Sequence, residues 1–239
     1  MRRLFAVACL LVALNAAAIT LPQTPVLPRY DMVESLGIAD SYSSMAIDPL
    51  SGQPAIVFVD RSGLDPGVAR PAPVRRRWYD GWAWRLETLG TANMLDELGY
   101  RNLLYAADTL GRRHVLLLET NGSGFADDAL VYLRRGTNGD VREVLGTGAA
   151  VSSAFTRLAF TVATDGRPYA AWISNQTASG GTLVVQRREE NGTWSGINVG
   201  ATPGIAGTPN FAATPPQAQF AGVDLIWLEL AVATTNVRH

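Results

Sequence analysis

The hairpin LAFTVATDGRPYAAWIS at residues 158–174 constrains the fold more than any other stretch, because it is apolar on both faces and it recurs. An ordinary surface hairpin alternates apolar with polar residues, since one face of each strand meets water. Strands apolar at successive positions must be covered on both sides. The same layout appears at SMAIDPLSGQPAIVFVD (44–60) and LLYAADTLGRRHVLLLE (103–119), and in worn form at FAATPPQAQFAGVDLIWLEL (211–230). The turn glycines Gly52, Gly111, Gly166 and Gly222 fall 59, 55 and 56 residues apart. A second landmark, Leu36-Gly37, Leu89-Gly90, Leu145-Gly146 and Val199-Gly200, places its glycines 53, 56 and 54 residues apart. Two independent landmarks share one period, which defines an internal repeat.

Each complete repeat holds a second hairpin: VRRRWYDGWAWRLETLG (74–90), ALVYLRRGTNGDVREVLG (129–146) and TLVVQRREENGTWSGINVG (182–200). Their expected turns, Asp80-Gly81, Asn138-Gly139 and Asn191-Gly192, supply the positive φ of tight hairpins. No stretch carries a convincing helical period. Four short antiparallel strands per roughly 55-residue unit is the pattern of a β-propeller blade. The expected fold is therefore an all-β propeller of about four four-stranded blade repeats over residues 29–239. The units are about 38–90, 91–146, 147–200 and 201–239. The first two strands of each are sandwiched between neighbours, and the outer strands are wetter. The run Arg75-Arg76-Arg77 is read as a solvated outer stretch. A β-sandwich explains the strands but not the fixed repeat.

The fourth unit ends after its first hairpin, and RYDMVESLG (29–37) has the form of an outermost strand with no blade before it. Closing the ring by pairing this strand into the fourth blade removes exposed edges. Two chains forming one larger ring, and a fragment of a longer propeller, remain the alternatives. A homo-oligomer is expected if the ring does not close within one chain.

Arg2 and Arg3 precede the apolar run LFAVACLLVAL, and Ala16-Ala17-Ala18 follows it. This reads as a signal peptide over 1–18, with a linker over 19–28, and implies a secreted or periplasmic protein with no membrane attachment after cleavage. The one cysteine, Cys9, lies inside that segment, so no disulfide or thiolate chemistry is expected afterwards. Every basic residue is arginine. Without Arg2 and Arg3, 18 arginines face 21 acidic residues, a net of about −3 that disfavours nucleic acid as a partner.

The unit "apolar strand, D-x-x-G-x-P, apolar strand ending in an acidic residue, then a G-x-W turn" resembles bacterial secreted propeller repeats of the broad sialidase-like, Asp-box-like class. Asp48, Gly52, Pro54 and Asp60 carry it in the first unit. Thr164, Gly166, Pro168 and Ser174 carry it in the third, with Gly192-Thr193-Trp194 at the later turn. The second unit departs, with Arg113 in place of proline. The resemblance implies a fold and says little of activity, because propellers host many unrelated functions.

A sialidase-type hydrolase needs an arginine clamp, a tyrosine nucleophile and a separate carboxylic acid. Arginines do not recur at equivalent positions as such a clamp would suggest. No cofactor or metal is expected: His114 opens an apolar strand, His239 is terminal, and no G-x-S-x-G or phosphate-binding glycine loop occurs. Two binding locations stand out. One is the ring mouth, where loops after second strands gather Asp60, Arg61, Glu119, Ser174 and Asn175, with Arg101 and Arg157 at the opposite strand ends. The other is YDGWAW, which places Trp82 and Trp84 on one face of an outer strand, with Tyr79 at the turn. The expected function is a secreted, non-catalytic binding or interaction module whose partner is a glycan or an extracellular protein. The alternatives are a sialidase-like glycoside hydrolase and a structural piece of a larger surface assembly.

Overall fold

A computed structural model describes residues 39–60, 70–94, 103–120, 128–136, 139–151, 158–177, 180–197, 210–213, 223–230 and 235–238. The proposed signal peptide, the linker and the strand at 29–37 lie outside them. Every regular element among the described residues is a strand, apart from one 3-10 turn at Gly148–Ala150.

The first sheet contains β1 (Ala39–Ile47), β2 (Pro54–Asp60), β3 (Arg70–Tyr79) and β4 (Trp84–Met94). The second contains β5 (Leu103–Ala107), β6 (Arg113–Thr120), β7 (Asp128–Gly136) and β8 (Gly139–Thr147). The third contains β9 (Leu158–Val162), β10 (Pro168–Thr177), β11 (Gly180–Arg188) and β12 (Trp194–Gly196). All three are antiparallel, with strands in sequence order. β13 (Asn210–Ala213), β14 (Val223–Leu230) and β15 (Thr235–Arg238) form a three-stranded sheet.

The double-sided burial of the apolar hairpins has a direct cause. On β6, Val115 and Leu117 pack against the first sheet with Val57, Val59, Val74 and Met94. Their neighbours Leu116 and Leu118 point the other way and pack with Leu158, Ala170 and Trp172 of the third sheet. On β10, Ala170 and Trp172 face the second sheet, while Ala171 and Ile173 turn towards β14 through Leu225. A two-layer sandwich would wet one face of each sheet. Here the second and third sheets are covered on both. The first strands of successive sheets also adjoin, β1 to β5, β5 to β9 and β9 to β13. The Tyr105 N–H donates to Ser44 Oγ at 3.2 Å across the first of these junctions.

The Leu-Gly landmark marks a β-bulge. The β3–β4 register shifts between Val74 and Arg75, and the β7–β8 register shifts between Leu130 and Val131. The extra residue is Leu89 in one sheet and Leu145 in the other, each directed into a core. The glycine that follows admits a neighbour: a β-carbon on Gly90 would lie 3.3 Å from Leu133, and one on Gly146 would lie 2.8 Å from Val151.

Two expectations are corrected. Arg76 is not solvated; it is 1% exposed, because β3 alternates and turns Arg76 towards the second sheet while Arg75 and Arg77 point away. The Asp80-Gly81 turn is a four-residue loop, since Tyr79 pairs with Trp84 and the Asp80 N–H donates to the Ala83 carbonyl at 3.1 Å.

Candidate functional site

Asp60, Glu119 and Ser174 occupy one repeat position, eight residues beyond their turn glycines, at the same end of three successive sheets. All three are buried. Asp60 is ion-paired with Arg75, its Oδ2 lying 2.6 Å from Nε, and Glu119 accepts from Arg142 Nη2 at 2.7 Å. Burial pushes the Glu119 carboxyl above its ordinary value despite Arg142. Ser174 Oγ donates to the Thr182 carbonyl at 3.4 Å. Asn175 is exposed and, alone among described non-glycine residues, takes a left-handed φ of 49°. These groups are therefore largely committed to their own sheets. Arg61, Arg101 and Arg157 lie outside the described residues.

The aromatic turn is different. Trp82 is not on a strand beside Trp84; it sits in the loop between β3 and β4 and is 89% exposed. Tyr79 and Trp84 close the base of that loop as a tilted pair, with ring centroids 5.9 Å apart and planes at 58°. Asp80 makes the loop rigid. Its Oδ1 accepts from the Trp82 and Ala83 N–H groups at 2.9 and 2.8 Å, and its Oδ2 from Arg85 Nε at 2.5 Å. The Ala83 N–H, then Arg85 and the Trp82 N–H, lower the carboxyl to about 2. The result is an indole presented to solvent on a pre-formed turn.

A third location, which sequence reasoning missed, lies at the seams between sheets. Asp48 and Asp108 hold equivalent places in the β1–β2 and β5–β6 turns, each closing its turn through backbone hydrogen bonds. The equivalent in the third sheet, by the same backbone bond, is Ala163 rather than the Thr164 of the sequence match. Arg76 and Tyr132 are likewise equivalent, paired across their outer strands with Glu87 and Glu143. At the first seam Arg76 donates to both Asp48 and Glu87 at 2.9 Å.

At the second seam His114 bridges Asp108 and Tyr132. A carboxylate only accepts, so His114 Nε2 donates to Asp108 Oδ2 at 3.1 Å, and Nδ1 accepts from the Tyr132 hydroxyl at 2.8 Å. His114 is 1% exposed and Tyr132 is fully buried. Burial pulls the imidazole below its ordinary value, and it stays neutral. Burial acts in the opposite sense on Asp108, but the bonds from His114 and Arg112 outweigh it and hold the carboxylate ionised. Burial pushes the Tyr132 phenol up. Arg188 of the third sheet reaches across and grips Glu143 with both prongs, at 2.9 and 2.7 Å, while Trp194 Nε1 donates to the same carboxylate at 2.8 Å. Against this network lies a cleft of about 150 Å³, whose lining includes Arg112, Arg134, Arg167, Arg188, Glu189 and Glu190.

One signal for these seams was present in the chain. Asp48 and Asp108 precede their turn glycines, and Glu87 and Glu143 precede their Leu-Gly bulges by two residues. Among the described residues, no group of three or more His, Cys, Asp or Glu side chains is placed to hold a metal ion.

No protein-family model matches the chain, and no curated protein matches it. Among solved structures it is similar to a triple arginine-to-alanine mutant of AofleA from Arthrobotrys oligospora, at 9% identity and a TM-score of 0.48, over 84% of this chain and 57% of that one. It is also similar to the α-L-arabinanase of Penicillium chrysogenum complexed with arabinobiose, at 12% identity and a TM-score of 0.47, over 82% of this chain and 65% of that one. The chain thus spans less than two thirds of the length of either.

Proposed function

We propose that the protein is a secreted, non-catalytic β-propeller module that presents its aromatic turn to a glycan or to a protein surface. Face-to-face sheets with adjoining first strands support the propeller reading, with about four blades. The three-stranded sheet β13–β15 is one strand short of the pattern, which supports closure by residues 29–37. Met45 and Ile47 are exposed on the face of β1 turned away from the second sheet, which supports a further blade or a second copy there.

The observation that carries the binding reading is Trp82, the most exposed large apolar side chain among the described residues, held out on a turn that Asp80 has already ordered. Pre-ordering lowers the entropy lost on binding, and a flat indole beside Asp80 and Arg85 suits a sugar ring with hydroxyl groups. A hydrolase with a tyrosine nucleophile gains nothing from Tyr132, since burial opposes the phenolate that such chemistry needs. The test is a glycan-array screen of the folded protein and its Trp82→Ala variant. Binding to a related group of sugars that disappears in the variant supports the reading. A blank array refutes the glycan form and leaves a protein partner, while binding indifferent to Trp82→Ala refutes the site. Melting temperature serves as the control, because truncating so exposed a side chain changes stability by no more than about 0.5 kcal/mol.

A further inference from the structure

We propose that Asn191 is an acceptor for an N-linked glycan, its carboxamide nitrogen taking a sugar from a lipid-pyrophosphate-linked donor. Asn191-Gly192-Thr193 has the acceptor form Asn-x-Thr with a middle residue other than proline. It occupies the tip of the hairpin between β11 and β12, where Asn191 and Thr193 are both exposed. Backbone bonds hold that tip in one shape. The Glu189 N–H donates to the Thr193 carbonyl at 2.8 Å, and the Gly192 N–H donates to the Glu189 carbonyl at 3.0 Å. Gly192 takes a φ of 90°, which glycine adopts without strain.

Within the tip the two ends of the Asn191 carboxamide are used differently. Its Oδ1 accepts from the Thr193 N–H at 3.0 Å and from the Thr193 hydroxyl at 2.8 Å. Its Nδ2 makes no hydrogen bond among the described residues. An amide nitrogen is a poor nucleophile, because its lone pair is shared with the carbonyl. Two donors on Oδ1 stabilise the negative charge that this oxygen takes up when Nδ2 loses a proton. In the transfer, Nδ2 gives that proton to a base of the transferase and bonds to C1 of the sugar. The C1–O bond breaks, and the lipid pyrophosphate leaves with its electron pair. Because the turn uses Oδ1 alone, its hydrogen bonds remain after modification. A second triplet of this form, Asn175-Gln176-Thr177, lies within β10, whose pairing with β11 extends to Thr177, so it must leave the sheet to enter a transferase. The inference rests on the export reading only in placing the chain where such donors occur, and its test needs neither export nor a ligand at Trp82.

The experiment incubates the whole purified, folded chain with a purified oligosaccharyltransferase, active on a standard acceptor peptide, and a lipid-pyrophosphate-linked glycan. Intact-mass and peptide mass spectrometry locate the product. The expected result is the mass of one glycan added at Asn191, ahead of any at Asn175. Asn191→Asp keeps the Oδ1 acceptor of the turn but has no amide nitrogen, so the added mass is lost. Thr193→Val keeps the backbone N–H and the bulk but not the hydroxyl, and it loses the added mass as well. Thr193→Ser restores the hydroxyl and retains it. An unmodified Asn191 in the folded wild type overturns the proposal. So does a glycan at Asn191 that survives Thr193→Val, or one that goes first to Asn175. Should a variant fail to fold, the order of modification in the wild type still decides.

Discussion

Replacing Arg76 by methionine separates the charge of this residue from its bulk. Its guanidinium is 1% exposed, donates at 2.9 Å to both Asp48 and Glu87, and lies over the Trp78 ring at 4.8 Å. The two carboxylate side chains are themselves only 10% and 21% exposed, so solvent screens the trio weakly. Methionine fills much of the same volume, which limits the cavity contribution. What remains is a pair of carboxylates that have lost the cation joining them, Asp48 buried and Glu87 partly buried with only Arg113 Nε near it at 3.7 Å. Removing one partner of such a group costs about 3–5 kcal/mol. At a urea dependence of roughly 2 kcal/mol per molar, the unfolding midpoint falls by about 1.5–2.5 M. The third sheet already shows that an apolar solution exists, because Val185 and Ile197 stand where Arg76 and Glu87 stand in the first. The double variant Arg76→Met/Glu87→Ile therefore recovers about half of the loss. It does not recover all, since Asp48 keeps its turn bonds to Leu50 and Ser51 but loses its cation. Urea titration followed by far-ultraviolet circular dichroism measures both. A single variant that loses less than about 1 kcal/mol, or a double variant no better than the single, refutes the reasoning.

Acidification from pH 7 to 5 lowers the melting temperature through His114. Its folded value lies below the usual 6.5, so the unfolded chain binds more protons in this window, and stability present above about 6.5 is lost as the pH falls towards the folded value. The slope is at most about 1.4 kcal/mol per pH unit. It vanishes in His114→Gln, and a melting temperature that rises on acidification means that the imidazole is charged in the fold. Asp108 contributes in a separate window, since its lowered value keeps it ionised until well below pH 4. Two turn glycines distinguish backbone strain from collision. Gly52→Ala, with φ of 66° and open space around its β-carbon, costs about 1 kcal/mol. Gly166→Ala, with φ of 79°, also drives its β-carbon into the Arg112 guanidinium and costs about 1 kcal/mol more. Equal melting temperatures for the two variants contradict that account.

The chain discloses its strands because burial on both faces leaves a one-dimensional trace: no polar residue interrupts VLLL on β6 or AAWI on β10. The bulges are legible for a similar reason, since each needs a core-facing leucine and a glycine at one period. The fate of Arg76 is not legible in that way. Three consecutive arginines read as wet, and only the register against Val57 shows that the middle one turns inward. The cleft is harder still. Glu143 and Arg188 are 45 residues apart, and Glu143 and Trp194 are 51 apart, so their meeting depends on how two sheets stack. The YDGWAW stretch singles out Trp82 but places it on a strand, because Asp-Gly suggests a two-residue turn and Asp80 instead supports four.

The changing chemistry of the seams has a consequence for assembly. Sheets built on one template run the risk of docking on the wrong neighbour during folding, a hazard typical of repeat proteins. Here each junction carries its own key. The first joins arginine to two carboxylates, the second joins a histidine–tyrosine chain and a glutamate to an incoming arginine, and the third is apolar. If the third sheet docked on the first, Arg188 would find at Glu87 a carboxylate that Arg76 already bonds, rather than one that takes both of its prongs as Glu143 does. The polar seams thus act as addresses, allowing near-identical modules to line up in a single order.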